Sequence, residues 1–148
     1  MFELHPRLRQ DTVEIHSFDL SLLLMMNDAR FPWLILVPAK KGIRELHELI
    51  PNDQMRLMEE ITLCSQLLEK IHTPDKINVG ALGNLVPQLH IHVIARRHSD
   101  AAWPGPVWGF GKPEPYLKTE REQAIAEIQK AIEAAKVARE EGTFIPPA

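Results

Sequence analysis

Three consecutive stretches near the start of the chain consist mostly of apolar residues, many of them β-branched or large. A short polar segment, residues 27–30, separates the second stretch from the third. Apolar runs that are bounded by turn-forming residues predict strands rather than helices. We therefore expect two or three antiparallel strands within residues 13–18, 20–27 and 31–39.

The third stretch has no charged residue between positions 31 and 38, and it carries Pro32 and Pro38 near its ends. A strand that lacks polar alternation is typical of one that is covered on both faces, and proline is tolerated mainly at strand ends. This segment is therefore predicted to be a central strand of the sheet.

The spacing of apolar residues changes after Gly42. Ile43, Leu46 and Leu49 recur at three-residue steps, which predicts a short helix. From residue 53 to residue 72 the apolar side chains lie largely along one helical face, and charged residues cover most of the remainder. The pattern predicts a longer helix here that packs on the sheet.

The second half of the chain returns to strands before it ends in a helix. After Pro74 the pattern predicts a strand over 76–82, a loop over 83–87 and a strand over 88–96. Residues 98–117 are rich in proline and tryptophan, which predicts an ordered loop held against the body of the protein. Thr119 and Glu122 fit a capping box, which predicts a final helix over 118–141.

Composition agrees with one domain spanning residues 1–148, with the aromatic and proline-rich loop at 98–117 and the final helix at 118–141. The chain has 148 residues, of which 45% are hydrophobic and 25% are charged, as in ordinary globular domains. The 17 basic and 20 acidic residues give a net charge of −3. This balance offers no overall electrostatic reason to bind nucleic acid or a membrane.

The first twenty residues carry six charged side chains and lack the apolar segment of a signal peptide. We therefore expect a cytoplasmic protein. Residues 77–95 contain no Asp, Glu, Lys or Arg, but asparagine, glutamine and histidine interrupt them, which argues against a membrane-spanning helix. Cys64 is the only cysteine and lies in a helical apolar pattern, so it is expected to be a buried thiol.

Two histidines alternate with apolar residues in the last predicted strand. Because alternate side chains of a strand point to opposite faces, Gln88, His90 and His92 are expected to share one face. That face either meets solvent, as in any half-buried strand, or binds a ligand. The small residues upstream, together with Gly83 and Asn84, favour a phosphate ligand, because backbone amides approach a ligand closely there and imidazoles add further donors.

These residues resemble the histidine triad (HIT) superfamily of nucleotidyl hydrolases and transferases. The resemblance covers about residues 13–100 and rests on the motif at 88–94, on the Gly83 and Asn84 loop with Asn78, and on the segment 24–38 that contains Asn27. It implies an α+β fold with about five antiparallel strands and packed helices, and a homodimer. It also implies a purine nucleotide or a related phosphate ester or amidate as substrate, with no cofactor and no metal.

The resemblance further assigns roles to single residues. His90 matches the nucleophile, His92 matches a residue that contacts the phosphate and the leaving group, and Gln88 stands where the motif has its first histidine. A glutamine donates and accepts hydrogen bonds but does not titrate near pH 7, so a proton relay through position 88 is lost. The implied nucleotide and phosphate contacts are Asn27, Asn78, Gly83 and Asn84.

Two other interpretations stay open. His90 and His92 on one strand could share a metal ion with a third ligand, for which His98 is the nearest candidate. Alternatively, the chain binds nucleotides without turnover because of Gln88.

The remaining candidates each have an ordinary structural explanation as well. Trp103 and Trp108 either form a wall of the ligand pocket or cover the edge of the core or a dimer seam. The basic residues Lys40, Lys41, Arg96 and Arg97 either raise the local potential for phosphate or are solvated charges at strand ends. Surface or packing roles are expected for His5, His16, His47 and His72.

Overall fold

The computed structural model describes residues 1–142 and contains five strands and three α-helices. The last six residues of the predicted domain, 143–148, lie outside the described residues. The elements in chain order are α1 (Pro6–Asp11), β1 (Thr12–Ser17), β2 (Ser21–Met26), β3 (Trp33–Pro38), a 3-10 helix (Leu46–Glu48), α2 (Pro51–His72), β4 (Lys76–Gly80), β5 (Ile91–Arg96) and α3 (Lys118–Glu140).

The five strands form one antiparallel sheet in the order β1-β2-β3-β5-β4. The predicted α+β architecture and its five strands are therefore confirmed. Strand β3 lies in the middle of the sheet, and all six of its residues are buried, as its unbroken apolar sequence predicted. His92 on β5 pairs with Ile35 on β3 and with Gly80 on β4, so it stands between two neighbouring strands.

Each face of the sheet is covered by a different set of elements. On one face Leu36, Ile91 and Val93 pack in a core that includes Leu57 of α2 and Ile128 of α3. The second core is formed by residues from the opposite face, the N-terminal segment and the loop after β5: Ile35, Val37, Ile94, Leu4, Leu8 and Val107. The N-terminal segment therefore covers the sheet face to which His92 belongs.

Helix boundaries differ from the predicted ones for local reasons. Helix α2 starts at Pro51, two residues before the predicted start, because proline at the first helical position loses no backbone hydrogen bond. The short helix predicted from Ile43 onward is reduced to one 3-10 turn. The six-residue helix α1, capped by the side chain of His5, was not predicted because it is too short to display a periodic apolar face.

Two predictions near functional segments were wrong in detail. The capping box at Thr119 and Glu122 is absent, since the helix already begins at Lys118 and its cap residue Leu117 makes no side-chain hydrogen bond. Strand β5 starts at Ile91 and not at residue 88. The backbone N–H of Leu89 instead donates to the carbonyl oxygen of Ile43 at 3.0 Å, outside the sheet.

The loop after β5 packs against the protein, as its tryptophans and prolines predicted. Ala102 and Val107 are buried in the second core. The guanidinium of Arg96 donates to Asp100 at 2.8 Å and to the carbonyl oxygen of Gly105 at 2.8 Å, which fixes the start of the loop. Within residues 1–142, no helix has the length and apolar character needed to cross a membrane.

Candidate active site

The two histidines of the motif lie side by side at the start of β5. His90 immediately precedes the strand and His92 is its second residue; they are 5% and 4% exposed. Their ring centroids are 4.9 Å apart, with the rings inclined at 66°. The predicted pairing of these two imidazoles is therefore present, in a buried setting rather than on a solvated strand face.

The ring of His90 has a defined proton position. Its Nδ1 lies 2.7 Å from the carbonyl oxygen of Gln88, an interaction that requires Nδ1 to donate. Nε2 then carries the lone pair of the neutral ring. Burial lowers the pKa of His90 below 6.5 and outweighs the hydrogen bond to Gln88, which raises it. A charge on His5 lowers this pKa further. His90 therefore keeps an unprotonated Nε2 at neutral pH.

The ring of His92 is fixed from both sides. The indole N–H of Trp33 donates to Nδ1 at 2.9 Å, so the proton of the neutral ring resides on Nε2, which faces the carbonyl oxygen of Leu82 at 3.3 Å. Burial, with the neighbouring His90, lowers the pKa of His92 to about 4. His92 is therefore a neutral hydrogen-bond donor at physiological pH.

A polar cavity of about 440 Å³ opens beside His90 and is also lined by Gly83 and Asn84. Gly83 is packed tightly: a Cβ there would lie 2.8 Å from the carbonyl oxygen of Val86 and 3.6 Å from Cε1 of His90. Only glycine fits this loop without displacing it, so Gly83 holds the loop against the ring of His90. The structure thus brings Gly83, Asn84 and His90 together.

Asn27 lies elsewhere, in a second cavity of about 370 Å³ that is also lined by Trp33 and Arg30. Its amide oxygen accepts a hydrogen bond from the backbone N–H of Tyr116 at 3.0 Å. Trp33 connects the two regions, because its ring lines this cavity while its N–H binds His92.

Asn78 and Gln88 have partners other than the two histidines. The amide oxygen of Asn78 accepts from the buried guanidinium of Arg96 at 2.8 Å. The side chain of Gln88 binds the backbone of the N-terminal segment, accepting from the N–H of His5 at 2.9 Å and donating to the carbonyl oxygen of Glu3 at 2.8 Å. Its backbone carbonyl, and not its amide, is what contacts the ring of His90.

Of the two tryptophans in the loop after β5, Trp108 contacts the site. Its ring centroid lies 5.3 Å from that of His92, and a Cβ on Gly80 would approach its ring to 3.0 Å. Trp103 packs instead on Arg96 and His98. Trp108 therefore packs on His92, and Trp103 stabilises the loop.

Two residues that were not singled out from the sequence belong to the site. Trp33 selects the tautomer of His92, and Arg44 lines the cavity beside His90. Arg44 lies two residues after Gly42, close to Lys40 and Lys41, and this cluster of basic residues is a signal in the sequence. Lys40 and Lys41, the two residues chosen from it, do not line this cavity. Lys40 faces Asp53 at 3.8 Å.

The metal interpretation gains no support from the structure. His98 lies 3.8 Å from Asp75 and not beside His90 or His92. Among the described residues, no group of three or more histidine, cysteine or carboxylate side chains is arranged to hold a metal ion. Cys64 is buried and its thiol pKa is raised by burial, in line with a packing role.

Comparisons with known proteins agree with this architecture. The family model described as HIT domain matches residues 7–99. A histidine triad protein from Sinorhizobium meliloti is 49% identical, with a TM-score of 0.86, over 88% of this chain and 96% of that one. For a histidine triad protein from Marinobacter aquaeolei the identity is 46% and the TM-score 0.88, over 90% of this chain and 98% of that one.

A curated relative is more distant. The bis(5'-nucleosyl)-tetraphosphatase (asymmetrical) of Schizosaccharomyces pombe is 27% identical over 74 residues, which are 47% of this chain and 41% of that protein. The match therefore spans less than half of the relative's length.

Proposed function

The chain belongs to the HIT domain family, and we propose that it is a nucleotide hydrolase or transferase acting on a phosphoramidate or a dinucleotide polyphosphate. The similarity to a curated tetraphosphatase supports nucleotide hydrolysis in general. The observation that carries the proposal is the orientation of His90, whose Nδ1 donates to the carbonyl oxygen of Gln88 and leaves Nε2 as a free base.

In the first step Nε2 of His90 attacks the phosphorus of the bound nucleotide. The N–P bond forms as the bond to the leaving amine or phosphate breaks, and the leaving group takes the electron pair and a proton from water. The ring becomes positively charged, and the carbonyl oxygen of Gln88, 2.7 Å from Nδ1, stabilises that charge.

In the second step water attacks the same phosphorus. The N–P bond breaks, its electron pair returns to Nε2 of His90, and the water oxygen becomes part of the released nucleotide after losing a proton to solvent. The net reaction consumes one water. Replacing water by another acceptor gives the transferase reaction by the same route.

The neighbouring groups suit the phosphate and the nucleoside. His92 is neutral with a proton on Nε2, and because its hydrogen bond to Leu82 is long at 3.3 Å, this N–H can also donate to a phosphate oxygen. We assign Gly83 and Asn84 to the phosphate and leaving-group side, because they share the cavity of His90. We assign Asn27 to the ribose, in the cavity that Trp33 also lines.

The proposal is tested by trapping the intermediate. Native protein is mixed with adenosine phosphoramidate and quenched rapidly, and the protein is examined by mass spectrometry for an adenylyl adduct on His90. His90→Asn is expected to show no adduct and no turnover, while the exposed His16→Asn variant on β1 behaves like the native protein. Equal hydrolysis by native protein and His90→Asn would eliminate the assignment.

A second candidate function is nucleotide binding without turnover. It is favoured by Gln88, whose amide is already bonded to Glu3 and His5 and which supplies no titratable group. In that case calorimetry detects adenosine monophosphate binding while the adduct and the hydrolysis product are both absent.

We also propose the homodimer that the family resemblance implies. Strand β4 is an edge strand, Val79 on it is 48% exposed, and an apolar cavity of about 540 Å³ beside it is lined by Leu46 and Met58. A second copy of the chain would cover this edge. Light scattering should give twice the chain mass, and Val79→Lys should reduce it to the monomer mass. The cytoplasmic location stays a prediction.

A further inference from the structure

The side chain of Gln88 joins two parts of the chain that are far apart in sequence. Its Oε1 accepts from the backbone N–H of His5 at 2.9 Å, and its Nε2 donates to the carbonyl oxygen of Glu3 at 2.8 Å. These two hydrogen bonds attach the backbone of residues 3–5 to Gln88, in the way that backbone hydrogen bonds attach one strand to the next. We call this pair of hydrogen bonds the Gln88 clasp.

The same residue also contacts the nucleophile. The backbone carbonyl oxygen of Gln88 accepts from Nδ1 of His90 at 2.7 Å. Gln88 therefore fixes the N-terminal segment through its side chain and His90 through its main chain. Any displacement of residue 88 moves both at once.

The segment held by the clasp ends in a half-buried histidine with a defined orientation. Nδ1 of His5 accepts from the backbone N–H of Arg7 at 3.1 Å and caps helix α1, so in the neutral ring the proton is on Nε2. A positive charge on the His5 ring lowers the pKa of His90; it requires a proton on Nδ1 in place of the hydrogen bond from Arg7.

Three elements besides the N-terminal segment surround His90, and two of them carry titratable or charged groups. His92 approaches it from β5. Arg44 and Glu45 line its cavity from the segment before the 3-10 helix. The loop 83–88 contributes only uncharged residues. Of the residues that act on His90, His5 is the one brought there by the clasp.

We propose that Gln88 is a positioning residue: its clasp makes the N-terminal segment part of the active site and holds the imidazole of His5 within electrostatic range of the nucleophile. Gln88 itself supplies no imidazole, and the residue whose backbone N–H its side chain binds, His5, carries one. The inference rests on the proposed function for its catalytic meaning, but the clasp itself is independent of turnover.

The first test is a nuclear magnetic resonance titration of the His90 ring. His5→Asn removes the charge but keeps a side chain that caps α1 well. We expect the pKa of His90 to rise, because the variant removes the positive charge on residue 5 that lowers it. His16→Asn, a change on the far edge strand, should leave that pKa in place. An unchanged pKa in His5→Asn overturns the proposal.

The second test breaks the clasp itself. Gln88→Met keeps an unbranched side chain of similar length but makes neither hydrogen bond, and Gln88→Asn is too short to make both. The backbone N–H of His5 should exchange with solvent at least about tenfold faster in these variants, as for the loss of one hydrogen bond. Adding His5→Asn to a folded clasp variant should then produce no further change in the pKa of His90. Native-like protection of the His5 amide contradicts the clasp.

Neither readout needs enzyme activity, so the two proposals fail separately. If native protein forms no adduct with adenosine phosphoramidate, the proposed function is wrong, but the titration and exchange experiments still test whether the clasp exists. If it does turn over, the acid limb of kcat/KM should move upward in His5→Asn by the same amount as the His90 titration. A shift in the titration without a shift in the acid limb would show that His5 has no part in catalysis.

Discussion

The indole N–H of Trp33 lies 2.9 Å from Nδ1 of His92 and donates to it, across the pairing between strands β3 and β5. This bond fixes His92 as the tautomer with its proton on Nε2, the atom that faces Leu82. Protonation at Nδ1 would break the bond, and burial also opposes it; the pKa of His92 is lowered to about 4. Trp33 therefore keeps His92 a neutral donor.

Replacing Trp33 by phenylalanine should disturb this arrangement with little loss of aromatic packing. The buried Nδ1 of His92 loses its donor, and we expect the free energy of unfolding to fall by about 1–3 kcal/mol, the cost of an unsatisfied buried polar group. The nitrogen chemical shifts of the His92 ring should also show a mixture of tautomers. Chemical denaturation and nitrogen-detected titration measure the two effects.

Trp108→Phe is the matched control. The Nε1 of Trp108 is buried without a hydrogen-bond partner among the described residues, so its removal breaks no bond. The tautomer of His92 should stay as it is, although Trp108 also touches that ring. If Trp33→Phe leaves the His92 tautomer unchanged, the role assigned to Trp33 is wrong.

The pH dependence of activity follows from the direction of the two histidine pKa shifts. His90 must be unprotonated to attack, and burial lowers its pKa below 6.5, so the midpoint of the acid limb of kcat/KM should lie below pH 6.5. The rate should fall as the pH drops through the lowered pKa of His90. His92, with a pKa of about 4, stays neutral over this range. A midpoint of the acid limb above pH 6.5 contradicts this assignment.

Much of the sheet could be predicted because local sequence and tertiary environment agree there. Residues 33–38 are apolar on both faces, and strand β3 is buried on both. The alternation at 90–92 predicted the histidine pair correctly even though β5 starts only at Ile91. The irregular backbone before the strand is what leaves the carbonyl of Gln88 free to accept from the ring of His90.

Contacts across long sequence separations could not be read from the pattern. Gln88 looked like one member of a polar strand face, but its two partners lie 83 and 85 residues away. Trp33 looked like one more apolar residue of a central strand, and its polar partner is 59 residues away. In both cases periodicity predicts burial, whereas the hydrogen-bond partner depends on which strands become neighbours.

Gly83 should tolerate no side chain. A Cβ at this position would lie 2.8 Å from the carbonyl oxygen of Val86 and 3.6 Å from the ring of His90. The carbonyl oxygen is a backbone atom, so it can move away only if the loop backbone shifts. We expect Gly83→Ala to shift the loop and to lower kcat for adenosine phosphoramidate at least about tenfold, because nucleophile position controls in-line attack. Leu85→Ala, in the same loop but 82% exposed, serves as the control and should keep native kcat. Native kcat in Gly83→Ala would show that the loop does not position His90.

Asn78 and Asn84 should respond differently to alanine, because their surroundings differ. The resemblance places both on the phosphate or leaving-group side, but Asn84 lines the cavity of His90, whereas Asn78 accepts from Arg96, which is buried and also bound to Asp100. Asn78→Ala removes a hydrogen bond to a charged group, which should reduce the free energy of unfolding by about 1.5–3 kcal/mol. Asn84→Ala should leave stability native and raise KM.

Denaturation and steady-state kinetics on the same two preparations separate these roles. The expected result is a stability loss with native KM for Asn78→Ala, and the reverse for Asn84→Ala. Both variants replace asparagine by alanine, so a difference between them reflects the surroundings of the two residues. A raised KM with native stability in Asn78→Ala would instead mean that its amide leaves Arg96 to bind substrate, as the motif resemblance first implied.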